Sequence, residues 1–180
     1  MPEMLKATPR LKSVQRIALV MLVVAGGVLG GYIADILVRR GVGPVQSRKY
    51  PAAIALLGTA ACTVAAAYVS SNTLAIAFIS VSLFLVYVTS TCAWALSSVA
   101  VPTNCTASIG AMQNFGGYLG GALAPTVTGL IVQATGSFVL ALVVGAAIGV
   151  ASGIAYLTLV GEPITATDLG APGAPAPARG

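Results

Sequence analysis

From Tyr50 to Gly161 the chain carries no charged side chain. Such a stretch cannot clothe itself in water. A soluble domain carries about 25% charged residues, whereas all 180 positions here supply 7%, against 57% hydrophobic residues. In a bilayer core every backbone N–H and C=O must be satisfied within the protein, which leaves helices or a closed barrel. The apolar runs are continuous rather than alternating, so barrel strands do not fit. The composition therefore specifies an all-α integral membrane protein.

A span needs about 20 apolar residues. Five runs qualify, predicting transmembrane helices over residues 17–38, 51–69, 73–101, 107–133 and 137–160. The third is longer than a bilayer requires and should tilt or project. The links carry helix breakers: "RRGVGPVQSRKY", "SSN", "PTNCT" and "ATG". The organisation expected is a basic N-terminus over 1–15, a five-helix region over 16–161, and a disordered tail over 162–180. That tail, "EPITATDLGAPGAPAPARG" after Gly161, is too rich in Pro, Ala and Gly to bury a core. The first apolar run is too long for a cleaved signal peptide, contains Asp35 and ends without a small-residue cleavage site.

The basic residues flank apolar segments and are not interleaved with aromatics, so the net charge of +5 does not indicate nucleic acid. Nor does it orient the chain. Arg39, Arg40, Arg48 and Lys49 place the first loop in the cytoplasm by the positive-inside rule, while Lys6, Arg10, Lys12 and Arg16 claim the opposite end of the same helix. Cys62, Cys92 and Cys105 lie in or beside apolar runs, with no histidine and no CxxC spacing anywhere. They read as small packing residues, and neither metal nor cofactor is expected. An enzyme fits poorly: inside the apolar region there is no acid cluster, no Ser–His pair and no metal-ligand spacing.

Two polar stripes remain. Tyr87, Thr91, Trp94 and Ser98 are spaced 4, 3 and 4 and share one face of the third helix. Gly110, Asn114, Gly117, Gly121 and Pro125 share a face of the fourth, and Gln113 stands beside Asn114. Glycines at that interval let a neighbouring helix approach closely, and Pro125 permits a bend. Carboxamides in hydrocarbon need partners, so Asn114 either bonds another helix or offers donors and acceptors to a polar solute at mid-membrane. Gln133 and Thr135, near the far end of the helix, read as capping residues. Gly26–Gly30, Gly27–Gly31, Gly145–Gly149 and Gly149–Gly153 have the GxxxG spacing of close helix packing.

The segment "GGYIADILVRRG" resembles the loop motif of the major facilitator superfamily: a glycine-rich helix end with Gly31, then Asp35, then the basic pair Arg39 and Arg40. "IGAMQNFGGYLGGALAPTVTGLIVQATGSF" looks like helix eleven of that superfamily's anion:cation symporter branch, the organic-anion transporters. "TCAWALSSVAVP" looks like its helix ten, and "GEPI" like its exit from helix twelve. The resemblance runs from about Gly26 to Ile164. It implies that the five helices correspond to helices eight to twelve of a twelve-helix carrier, an incomplete C-terminal half, with residues 1–15 a non-native start.

The resemblance also implies function. The intact carrier would take up small organic anions, carboxylates, with protons, and Thr91, Trp94 and Asn114 would contact substrate; Tyr87 and Gln113, on or beside the same stripes, are read as substrate-binding with them. Asp35 would meet a helix N-terminus in the opposite half and lock one conformation. Many members carry an acidic residue where Val99 stands, so one ion pair of the gate is missing. The chain would lie in the inner (plasma) membrane with a cytoplasmic C-terminus, leaving the Asn104 glycosylation sequon on the cytoplasmic side and unmodified. Nothing between Tyr50 and Gly161 can pair with a carboxylate or relay a proton near neutral pH. The resemblance assigns both roles to the N-terminal half, which the chain would need as partner. The alternative is an independent five-helix protein whose polar stripes are interaction surfaces rather than a transport path.

Overall fold

The computed structural model describes the backbone of residues 2–165 and 168, and side chains from Val20 onward within that range. Most of the predicted tail lies outside the described residues. Five helices follow one another, α1 (Pro2–Arg39), α2 (Gln46–Tyr68), α3 (Asn72–Val99), α4 (Thr106–Thr135) and α5 (Phe138–Leu159), and no strand occurs among the described residues. Each contains a segment long and apolar enough to cross a bilayer. α1 has 38 residues, about 57 Å of helix against a hydrocarbon core of about 30 Å, so it continues beyond the span that ends it, Val20–Arg39.

The helix ends follow from local chemistry. α1 closes in a Schellman motif: the Val42 N–H donates to the Leu37 carbonyl (3.0 Å) and the Gly41 N–H to that of Val38 (2.9 Å). Gly41 takes the left-handed conformation the motif requires, at φ 84°. α4 ends at Gly136, φ 67°, whose N–H donates to the Val132 carbonyl at 2.8 Å. Thr135 turns its hydroxyl back onto the Ile131 carbonyl (2.6 Å), and Ser137 caps α5 by accepting from the Leu140 N–H (3.4 Å).

α2 is the centre of the bundle, packed against α3 on one side and α5 on the other, while α3 also packs along α1. The core is built from small side chains: Ala52, Ala53, Ala55 and Ala60 of α2 are buried, as are Ala34, Cys92, Ala141 and Ala146 of other helices. Lipid tails are as apolar as leucine, so helices in a membrane gain from close backbone approach rather than from hiding bulk. The α1–α3 seam shows this directly. A Cβ added at Gly26 would lie 2.6 Å from the Phe84 carbonyl oxygen, and one at Gly30 would lie 2.8 Å from that of Val88. At the same seam the Cys92 thiol is buried and donates to the Gly30 carbonyl at 3.6 Å. Gly149 and Gly153 of α5 press on Ala60 and Leu57 of α2.

The α1–α2 loop, the α3–α4 loop and the end of α5 meet at one end of the bundle. There the Ile164 N–H donates to the Ala100 carbonyl (2.8 Å), docking the segment after α5 onto the end of α3. Just beyond, Thr165 donates to Asp168 Oδ2 from both its hydroxyl and its N–H, each at 2.7 Å. The hydroxyl bond first, then the backbone bond, hold that carboxyl below its ordinary range. All four basic side chains of the first loop region, Arg39, Arg40, Arg48 and Lys49, belong to this end.

α4 stands apart. None of its residues is buried, and among the described residues it meets only α3 and α5.

Candidate functional site

The loose seam between α3 and α4 opens a cleft of about 340 Å³, lined by Ser90, Ala93 and Trp94 from α3 and by Gln113, Asn114, Gly117 and Tyr118 from α4. Ligand sites commonly enclose about 300–1,000 Å³. Gly110 of α4 lies beside the indole: a Cβ at that position would be in ordinary contact with Trp94 Cζ3, at 3.8 Å. Trp94 is 46% exposed, and its side chain lines the cleft without being covered.

Several other hydroxyls on or beside these helices are spent locally, and Ser82 and Thr89 of α3 reach carbonyls of α2. Ser97 donates to the Trp94 carbonyl, Ser98 to that of Ala95, Thr106 to that of Pro102 and Thr135 to that of Ile131. The carboxamides of Gln113 and Asn114 make no such bond among the described residues. Two amides with donors and acceptors to spare, a tyrosine, a serine and a part-exposed tryptophan therefore line one space. The cleft is neutral, since no residue from 51 to 160 is charged.

Three of the five substrate residues expected from the sequence, Trp94, Gln113 and Asn114, come together here. Tyr87 and Thr91 do not line this cleft. Thr91 turns to α1, where its Oγ1 and Cβ would sit 3.4 Å from a Cβ placed on Gly27 and Gly30 respectively, and Tyr87 Cβ lies against Gly26. The reason is angular. At about 100° per residue the stripe from Tyr87 to Ser98 is about 60° wide, and the boundary between the α1 seam and the cleft falls inside it. Ser90 and Tyr118 were missed, although they stand one turn from Trp94 and Asn114 and extend the same stripes.

Gly117 and Gly121, expected to pack against a helix, meet no neighbour within the described bundle. A Cβ at either position, or at Gly116, Gly120 or Gly129, would meet nothing within 4 Å among the described residues. No helix of the described bundle covers that face of α4, on which Pro125 also stands. Of the loop motif, Gly31 faces the methyl of Thr91, while Asp35, Arg39 and Arg40 are exposed at the end of α1.

The probable L-galactonate transporter of Escherichia coli strain K12 is 36% identical over 140 residues, 78% of this chain and 31% of its own length. The probable galactarate/D-glucarate transporter GudP of Bacillus subtilis is 35% identical over 137 residues, 76% of this chain and 30% of its own. The D-galactonate transporter of an Escherichia coli O6:H1 strain is 32% identical over 140 residues. The chain is homologous to sugar-acid transporters of the major facilitator type. No family model matches it. These relatives are transporters rather than enzymes, and with five apolar spans the chain is a multi-pass membrane protein. It spans about 31% of the length of the curated relatives it matches.

Proposed function

We propose that these five helices form the substrate-facing C-terminal part of a proton-coupled carrier for small hydroxylated carboxylates, working against an N-terminal half. The observation that carries this is the convergence of Trp94, Gln113 and Asn114 on a neutral cleft of about 340 Å³. Carboxamides with free donors and acceptors suit a chain of hydroxyl groups, and the part-exposed indole suits its C–H edge. A carboxylate at the same depth needs a cation and proton coupling needs an acid, and nothing between Tyr50 and Gly161, where the cleft lies, supplies either. Both are assigned to the complementary half.

In this carrier the basic end faces the cytoplasm of the cell whose inner membrane holds it, as the correspondence to helices eight to twelve implies. The open glycine face of α4 then serves as the sliding surface: with no Cβ to interlock, a neighbouring helix can approach and rock past it. Asp35, exposed at the end of α1, is the conformational latch to the other half.

Reconstitution tests the division of labour. Proteoliposomes of the 180-residue chain should take up no hexonate, hexarate or hexuronate above protein-free vesicles, and co-reconstitution with a complementary N-terminal half should confer saturable, pH-dependent uptake. Saturable uptake by the chain alone would overturn the requirement for that half.

A further inference from the structure

We infer that the basic end of the bundle holds a specific binding site for an anionic phospholipid, its acyl chain lying in the groove between α1, α2 and α3. The groove has a volume of about 410 Å³ and is lined by Leu29, Ile33 and Leu37 of α1, Tyr50 and Ile54 of α2, and Val88 of α3, among others. It is built rather than incidental. Leu37 and Val42, both in its wall, are the two residues joined by the long hydrogen bond of the α1 Schellman motif, so the turn that ends α1 also closes the groove at the basic end.

The groove runs up to the basic end of the bundle. Leu29, Ile33, Leu37 and Arg40 follow one another at intervals of 4, 4 and 3 along α1, which sets Arg40 above the apolar stripe. Arg39 and Arg40 are exposed, and neither is ion-paired among the described residues. Tyr50, 47% exposed, stands at the mouth with its polar tip available, and Lys49 Nζ lies 6.0 Å from its ring centre. The other cations at this end are engaged. Lys49 is committed to the Val160 carbonyl and Arg48 to that of Pro44. The carboxylates described there are Asp35, one turn before Arg39, Glu162 after α5, and Asp168, which is bonded to Thr165. Asp35 tempers Arg39, leaving Arg40 as the cation best placed for a phosphate. Basic pockets between spans beside an apolar slot suit a lipid phosphate with its chain attached. This site is independent of the transport reading.

Native mass spectrometry of the chain released from mild detergent tests it, with phosphatidylglycerol and phosphatidylcholine of identical acyl chains offered in equal amounts. The wild-type chain should retain phosphatidylglycerol preferentially, by about fivefold for each arginine engaged. The Arg39→Gln/Arg40→Gln variant should lose that preference but keep phosphatidylcholine-level retention, which also reports that it is folded, and Arg39→Lys/Arg40→Lys should restore most of it. Ile54→Trp, at a groove position 69% exposed, should lose bound lipid of both kinds, and soluble glycerophosphate should not bind. Equal retention of the two lipids by the wild type, a preference that survives the double glutamine change, or unaltered retention in Ile54→Trp would each overturn the site.

Discussion

Lys49 Nζ donates to the backbone carbonyl of Val160 at 2.5 Å, joining the start of α2 to the residue that caps α5, 111 positions later in the chain. The last carbonyls of a helix have no partner within it, and the negative end of the helix dipole favours a cation there. With the Ile164–Ala100 bond, this contact ties α2, α3 and α5 together at the basic end.

Lys49→Met should therefore lower stability by about 1 kcal/mol, since it deletes a charge-assisted bond and leaves Val160 unpaired. Lys49→Arg, which keeps charge and reach, should recover most of the loss. Thermal unfolding in one detergent reads both, and a melting temperature unchanged in Lys49→Met would show the contact to be ornamental.

Gly30 and Gly117 should respond to alanine with opposite signs. At Gly30 the new methyl would lie 2.8 Å from a backbone oxygen of α3 and 3.1 Å from the Val88 Cα, neither of which can yield without parting the helices. Overpacking of that kind costs about 1–3 kcal/mol. At Gly117 the methyl meets nothing within 4 Å among the described residues, so the gain in helix propensity, about 0.5–1 kcal/mol, should dominate. Melting temperature should fall for Gly30→Ala and hold or rise for Gly117→Ala. A fall in both would mean that the α4 face is covered in the isolated chain.

The contrast shows what was legible in the sequence. Five apolar runs bounded by breakers identify five spans, because composition alone decides what can sit in hydrocarbon. The glycines are a different matter. Gly26 and Gly30 have the same spacing as Gly117 and Gly121, yet the first pair is clamped on α3 and the second pair is open. Spacing states that a helix can come close; only the arrangement of neighbours states whether one does. The same limit explains Thr91 and Trp94, three positions apart on one stripe but facing different helices.

The topology is open to cysteine labelling in a background without Cys62, Cys92 and Cys105. Asn72 begins α3 at the end opposite the basic loops, and Asn104 lies in the α3–α4 link; both are exposed. A membrane-impermeant maleimide applied to intact cells should modify Asn72→Cys and spare Asn104→Cys until the cells are opened. The reverse pattern would invert the proposed orientation and place the basic end outside.

Asn114 carries the sharpest test, made in a carrier that joins these five helices to an N-terminal half. Its side chain shares the cleft with Gln113 and Trp94, beside Gly117, where no neighbour excludes a solute. A carboxamide without a bond to another helix contributes little to folding, so Asn114→Ala should leave the melting temperature within error. If the carboxamide serves the substrate, loss of one hydrogen bond to a hydroxyl should cost about 0.5–1.5 kcal/mol, and loss of one to a carboxylate about 1.5–3 kcal/mol. The second is roughly tenfold or more in affinity. Isothermal titration and thermal unfolding on the same preparation separate the two roles. Weaker binding at unchanged melting temperature is the expected result, and Asn114→Gln, which keeps both amide functions but moves them by one methylene, should fall between. A destabilised Asn114→Ala carrier that binds its sugar acid normally would make the asparagine a helix-to-helix contact, and the cleft would lose its central donor.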